Sequence, residues 1–259
     1  MSSHVIATTV TRESWSFLLK NFSYLLSIIL IPFILSIALN GFATFSFLKH
    51  HALPQALTDG AGAFIEALWG IRWFKFILEK PSAGDLPKFS FGKKELLYFA
   101  YSFLLLVPFM LDDFLFIKNI RVHHAFLYAL ATIGTLVVFL RFELLFPALA
   151  MGKTATLKES WKQSRPLWGR IFKSYFQSFM VMLPIATIGL LWLGLLFIAL
   201  WAAGILHFEH WTMQEGWKVL LDRNPLIRWI YIVFKEALWM FAQAFTMVIA
   251  ATYYRLSKV

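Results

Sequence analysis

The sequence predicts an all-α protein, a polytopic transmembrane helical bundle of about six spans with basic amphipathic helices on its inner face. Three observations predict it. Of 259 residues, 59% are hydrophobic and only 15% charged, whereas soluble domains average about 45–50% apolar and about 25% charged residues. So little polar surface could not cover a water-facing core, and lipid is the expected solvent. The apolar residues come in long charge-free runs. The charges are lopsided, 24 Lys plus Arg against 14 Asp plus Glu, and they gather between particular runs. Zero cysteines exclude disulfide frameworks, thiolate metal sites, iron–sulfur clusters and cysteine nucleophiles.

A helix needs about 20 mainly apolar residues to cross a hydrocarbon core of about 30 Å. The first run, 21–48, has 28 residues without a charge. It exceeds the roughly 7–15 residues of a signal-peptide core and lacks a basic leader, so it reads as an uncleaved signal anchor. The second span, 61–78, contains Glu66, Arg72 and Lys75 and scores poorly on hydropathy. The third is placed at 96–115. The fourth, 125–151, starts charge-free and continues through Arg141 and Glu143. The fifth, 174–206, has 33 charge-free residues, too few for two spans and a turn. It reads as one long helix with Pro184, Gly189 and Gly194 as bending points. The sixth, 229–254, admits Lys235 and Glu236 near one end. Together they make residues 1–259 a single integral membrane domain. Its non-membrane segments are too short to hold a soluble catalytic domain.

Lys and Arg in short loops stay on the cytoplasmic side. With six spans and both termini inside, 16 basic residues fall inside and 6 outside, while Arg141 and Lys235 lie within spans. Without the second span, the six basic residues from Arg72 to Lys94 would lie outside and the bias would collapse. The expected location is therefore the bacterial cytoplasmic (inner) membrane, multi-pass, with cytoplasmic N- and C-termini. The positive excess is an orientation signal, not a nucleic-acid footprint. Trp15, Trp161 and Trp168 fall near the inner face, and Trp211, Trp217 and Trp229 near the outer one.

Arg12-Glu13-Ser14-Trp15 and Lys158-Glu159-Ser160-Trp161 match, each shortly before one of the two longest apolar runs. They suggest a parallel repeat. Thr156 and Glu159 have capping-box spacing, which predicts a helix start there. Lys158, Lys162, Arg165 and Lys173 then lie on or beside the face opposite Leu157, Trp161, Ser164, Trp168 and Ile171. Such a basic amphipathic stretch rests on an anionic surface, so the expected partners are the bilayer and its anionic inner-face head groups. Pro166 predicts a bend, with Arg165 biased away from helical geometry. The stretch Arg141-Phe-Glu-Leu-Leu-Phe-Pro147-Ala-Leu-Ala, with Leu157-Lys-Glu-Ser-Trp161 and Leu167-Trp168-Gly169-Arg170, resembles the bacterial YciC-like family. It is also similar to the related membrane domain that accompanies some glycerophosphodiester phosphodiesterases. The resemblance covers about 141–173 and implies a cytoplasmic-membrane protein of about six helices. It carries over no catalytic residues.

Ionisable residues inside spans are functional candidates, at an insertion cost of roughly 2.5–3.5 kcal/mol near the centre. Here they are Arg141, Glu143, Glu66, Lys235 and Glu236. Arg141 and Glu143, two apart, point to different faces, which leaves Glu66 or Glu236 as partners for Arg141. Ala242, Thr246 and Ala250 read as a packing stripe rather than a pore. Trp15, Trp161, Lys158, Lys162 and Arg165 are the interfacial candidates. Outer-loop histidines, His207 and His210 with His123 and His124, are weak metal candidates beside Asp112, Asp113 and Glu209. No cofactor is expected. No phosphate-cradling glycine loop, His-Glu-x-x-His or Gly-x-Ser-x-Gly occurs. The leading expectation is an envelope-associated, multi-span protein that is not an enzyme. The alternatives are a transporter or permease component with a polar path near Arg141, lined also by Glu66, Gln243 and Asn40, and an intramembrane enzyme built on His and Asp.

Overall fold

The structure is a computed structural model and describes residues 3–43, 52–79, 92–116, 133–134, 137–153, 156–203 and 225–257. Among the described residues the chain is helical, with no strand. The helices are α1 (Ser3–Lys20), α2 (Phe22–Ala43), α3 (Ala52–Glu79), α4 (Lys93–Phe116), the short α5 (Leu145–Ala150), α6 (Leu157–Ser164), α7 (Trp168–Ala202) and α8 (Pro225–Leu256). Residues 137–142 are helical too and reach α5 through a turn at Glu143 and Leu144.

Three helices, rather than the six spans expected, are long and apolar enough to cross a membrane unaided among the described residues: 22–42 of α2, α7 and α8. The second expected span lies within α3 and the third within α4. Both are helices, but α3 carries Glu66, Arg72 and Lys75, and α4 carries Glu95, Asp112 and Asp113. The fourth lies partly outside the described residues. The position of α3 explains its polarity. It packs against α2, α4, α5 and α8, so its buried face of Trp69, Ile71, Trp73 and Phe74 meets protein instead of lipid. By contrast α7 exposes Ile188, Leu191, Trp192, Leu195 and Ile198. In water each such side chain would forgo about 1.5–3 kcal/mol of burial, and a run of them on one helix is a lipid-facing surface.

The first helical rod starts earlier than the apolar run at 21. Asn21 only nicks it, because its N–H donates to Phe17 O (3.1 Å) and Leu25 N–H donates to Asn21 O (3.0 Å). Ala7, Val10, Ser14, Leu18, Leu25 and Ile28 are all buried. Their spacing of three, four and seven residues is one stripe running through the α1–α2 junction.

Contacts fix the helix directions. Phe22 lies by Phe241 and Ser36 bonds Glu236, so α2 opposes α8. Ser174 bonds Tyr253 and Gly189 abuts Phe234, so α7 opposes α8 too. Glu66 bonds Gln243 at one level and the Arg255 guanidinium donates to the Ile77 and Leu78 carbonyls at another. Hence α3 runs parallel to α8, and Arg255 satisfies carbonyls at the C-terminal end of α3, where a cation also suits the helix dipole. Tyr98 lies by Phe74 and Phe103 by Gly60, which sets α4 against α3. Between α3 and α8, Trp73 Nε1 donates to Ala244 O at 3.0 Å, within the largest apolar cluster.

The capping box at the start of α6 forms. Glu159 N–H donates to Thr156 Oγ1 (3.2 Å), and Thr156 N–H donates back to Glu159 Oε2 (2.9 Å). The chain breaks at 165–167 before α7, although Arg165 keeps helical dihedrals (φ −52, ψ −48). The interruption falls instead at Leu167 (φ −108, ψ −16), whose N–H turns back to Ser164 O. Within the matching tetrapeptides, Ser14 and Ser160 are both buried.

Candidate functional site

Two of the carboxyl groups expected within spans, Glu66 and Glu143, meet in one cavity of about 350 Å³, bounded by α3, α4, residues 139–146, α7 and α8. This is within the range of small-molecule sites. The parallel run of α3 and α8 sets Glu66 opposite Gln243, whose Nε2 donates to Glu66 Oε2 at 2.8 Å. Ala242, next to Gln243, and Thr246, one turn on from Ala242 along α8, also line the space. Two members of the expected packing stripe therefore line a cavity, and only Ala250 is fully packed.

The turn at Glu143 ends the helical stretch 137–142 and brings that side chain to the cavity. There Tyr175, early in α7, donates its hydroxyl to Glu143 Oε1 at 2.7 Å. The same hydroxyl lies 3.3 Å from Thr246 O. One proton cannot serve both well, and the shorter contact prevails. The second oxygen, Glu143 Oε2, is buried without a hydrogen-bond partner among the described residues, as is Ser102 Oγ on α4. Glu143 is only 4% exposed and Ser102 7%. Phe74, Tyr98, Phe139, Phe146 and Trp239 supply aromatic wall. Tyr98 reaches its place because position 70 is glycine: a Cβ there would stand 2.7 Å from the Tyr98 hydroxyl.

Arg141, expected within a polar path, is elsewhere. Its guanidinium carbon lies 5.0 Å from the Trp161 ring centroid and 5.6 Å from that of Trp168. Neither Glu66 nor Glu236 partners it, and its Nε and Nη1 are buried without a hydrogen bond among the described residues. Ser160 Oγ donates to the Arg141 carbonyl at 3.2 Å. Arg141 thus ties the end of stretch 137–142 to the α6–α7 corner through its backbone and two indole faces.

Glu236 faces α2, where Ser36 Oγ donates to its Oε2 at 2.6 Å, and Lys235 Nζ stands 3.9 Å from its other oxygen. Asn40 bonds the Ser36 carbonyl at 3.1 Å and does not line the cavity. Lys158, Lys162 and Arg165 are exposed, and Trp161 is exposed beside Phe142. Trp15 packs on Phe241 and Phe245 instead, at 5.7 and 4.5 Å between ring centroids. His123, His124, His207 and His210 lie outside the described residues. The sequence did not single out Tyr98, Ser102 or Tyr175. Their one signal is a hydroxyl inside or beside an apolar run.

No protein-family model matches the chain, and neither a curated protein nor a solved structure shows significant similarity to it.

Proposed function

We propose that the chain is a multi-span protein of the bacterial cytoplasmic membrane, with six membrane segments and cytoplasmic termini, that binds a solute within its bundle as a transport-type protein and is not an enzyme. The observation that carries this reading is the cavity, where Glu66 and Glu143 come from separate helical segments to one space walled by aromatic rings. Carboxyl groups at membrane depth are costly and mark solute or ion paths when they face a bundle interior. Supporting the six-segment topology, α2 and α7 run against α8 while α3 runs with it, as alternate crossings require. The resemblance of 141–173 to the YciC-like family is part of the proposal.

A second reading, a purely architectural envelope protein that holds anionic lipid on its inner face, draws on Arg141. Its guanidinium stacks on tryptophans outside the cavity, next to exposed Lys158 and Lys162. The cysteine-free sequence makes a clean test available. Single Cys replacements at Ala242 and Thr246, with lipid-facing Leu191→Cys as control, are exposed to a water-soluble thiol reagent in intact membranes. Reaction at Ala242→Cys or Thr246→Cys alone supports solute access. Uniform inertness sinks it in favour of the architectural reading. A reporter fused near Lys88 tests the topology, and activity on the outer side would refute it.

A further inference from the structure

We infer that the cavity receives a substituted ammonium, a small organic monocation with an apolar body and at least one N–H; this rests on the reading of the cavity as a solute site. Three observations converge on that chemistry. Glu143 Oε2 is buried, lines the space and has no hydrogen-bond partner among the described residues, whereas Oε1 is held by Tyr175. A buried carboxylate oxygen left bare is costly, and a donor carrying positive charge satisfies it best. Among the described residues no Lys or Arg lines the cavity, so none of them competes for the position.

The walls favour the same ligand. Phe74, Tyr98, Phe139, Phe146, Tyr175 and Trp239 present rings around the space, and ring faces attract ammonium groups while accommodating their alkyl substituents. An inorganic cation would find a poor shell here, because hard cations need about six oxygen ligands. Glu66 has one oxygen already engaged by Gln243, and the remaining wall is largely carbon. Ser102 Oγ, buried and unpartnered among the described residues, is a second polar contact for a ligand that carries a hydroxyl or a further N–H. Glu143 is the anchor and Tyr175 its positioning residue.

The test is titration calorimetry on the full chain in detergent with N,N-dimethylbenzylammonium, against N,N-dimethylbenzamide as a neutral compound of similar volume. Saturable one-site binding of the cation, at least tenfold tighter than that of the amide, is expected. Glu143→Gln should lower cation affinity tenfold or more and leave the amide unchanged, and Glu143→Asp should keep the preference. The native protein's preference decides the matter even if Glu143→Gln fails to fold. Equal binding of both compounds, or a cation affinity untouched by Glu143→Gln, overturns the ammonium assignment. Absence of binding by either compound also overturns it. If Thr246→Cys then still reacts with the aqueous thiol reagent, the solute-site reading survives; if Thr246→Cys is inert, that reading falls as well.

Discussion

Replacing Tyr175 by Phe removes one oxygen atom, and the structure says what that oxygen holds. Its hydroxyl donates at 2.7 Å to Glu143 Oε1, and Glu143 has no other hydrogen bond among the described residues. Two magnitudes compete. Side-chain hydrogen bonds between membrane helices average about 0.6 kcal/mol, because the unfolded chain also finds partners in the bilayer. Stripping a buried acceptor of its one donor costs about 1–3 kcal/mol. Glu143 is 4% exposed and already lacks a partner on Oε2, so the larger range applies. Tyr253→Phe removes a hydroxyl that bonds Ser174 Oγ (2.8 Å) and the Arg170 carbonyl (3.0 Å), both neutral groups, and should cost about 0.6 kcal/mol. The assay is reversible unfolding in mixed micelles of increasing denaturing detergent, followed by helical circular dichroism. A double-mutant cycle with Glu143→Leu isolates the pair. A coupling of about 1–3 kcal/mol is expected. A coupling below about 0.5 kcal/mol, or a Tyr175→Phe effect no larger than that of Tyr253→Phe, would refute the view that Tyr175 is the principal support of this carboxyl group.

Gly70→Ala puts a methyl 2.7 Å from the Tyr98 hydroxyl and 3.1 Å from Met247 Cε. It should cost about 1–3 kcal/mol through overpacking, while Gly62→Ala, with nothing within 4 Å, should be neutral or stabilising in the same melts. Thr156→Ala removes the N-cap of α6 and should cost about 1 kcal/mol, read as faster amide exchange over residues 157–160. Glu159 in that box is held below its ordinary carboxylate range, first by the Thr156 backbone N–H and then by its side chain. A lowered folded-state value means the box contributes fully above the ordinary range and is lost as pH falls through the folded value, so amide protection should drop on acidification; protection that rose instead would contradict the bonding. Arg141→Leu should lower stability by about 0.5–2 kcal/mol through loss of the two indole contacts. Arg141→Lys should restore only part of it, because the flat guanidinium is what stacks, and thermal stability of the purified variants checks both.

Much of this could be read from residues alone. The helical class, the one-piece helix α7 and the capping box follow from local rules, which the chain obeys; a break near Pro166 follows too, but it falls at Leu167 while Arg165 stays helical. The start of the first rod at Ser3 was hidden because Thr11, Arg12, Glu13 and Ser14 depress hydropathy. Its signal is the spacing of Ala7, Val10, Ser14 and Leu18, a one-face pattern that a search for charge-free runs passes over. Glu66 and Gln243 were identifiable as polar residues in costly places, and they meet. Tyr175 was not, since a tyrosine scarcely disturbs an apolar run and its face depends on which helix packs beside it. Arg141 misled for a related reason. Its place within the fourth run implied depth, but the turn at Glu143 and Leu144 and the α6–α7 corner bring two indole rings to it.

The central place of α3 bears on how the protein is made. A helix with Glu66, Arg72 and Lys75 partitions poorly from the translocation machinery into lipid alone, yet it lies in the middle of the finished bundle. On the proposed six-segment topology it must therefore enter with an escort. The preceding α2, with a mean hydropathy of 2.4 over its span, is already stacked on it through Tyr24 and Phe76, 4.9 Å apart. The two form a hairpin in which the greasier arm carries the other. Changes that loosen this pair will be felt during biogenesis, as chains that never enter the bilayer, before they register in the melting of those that do.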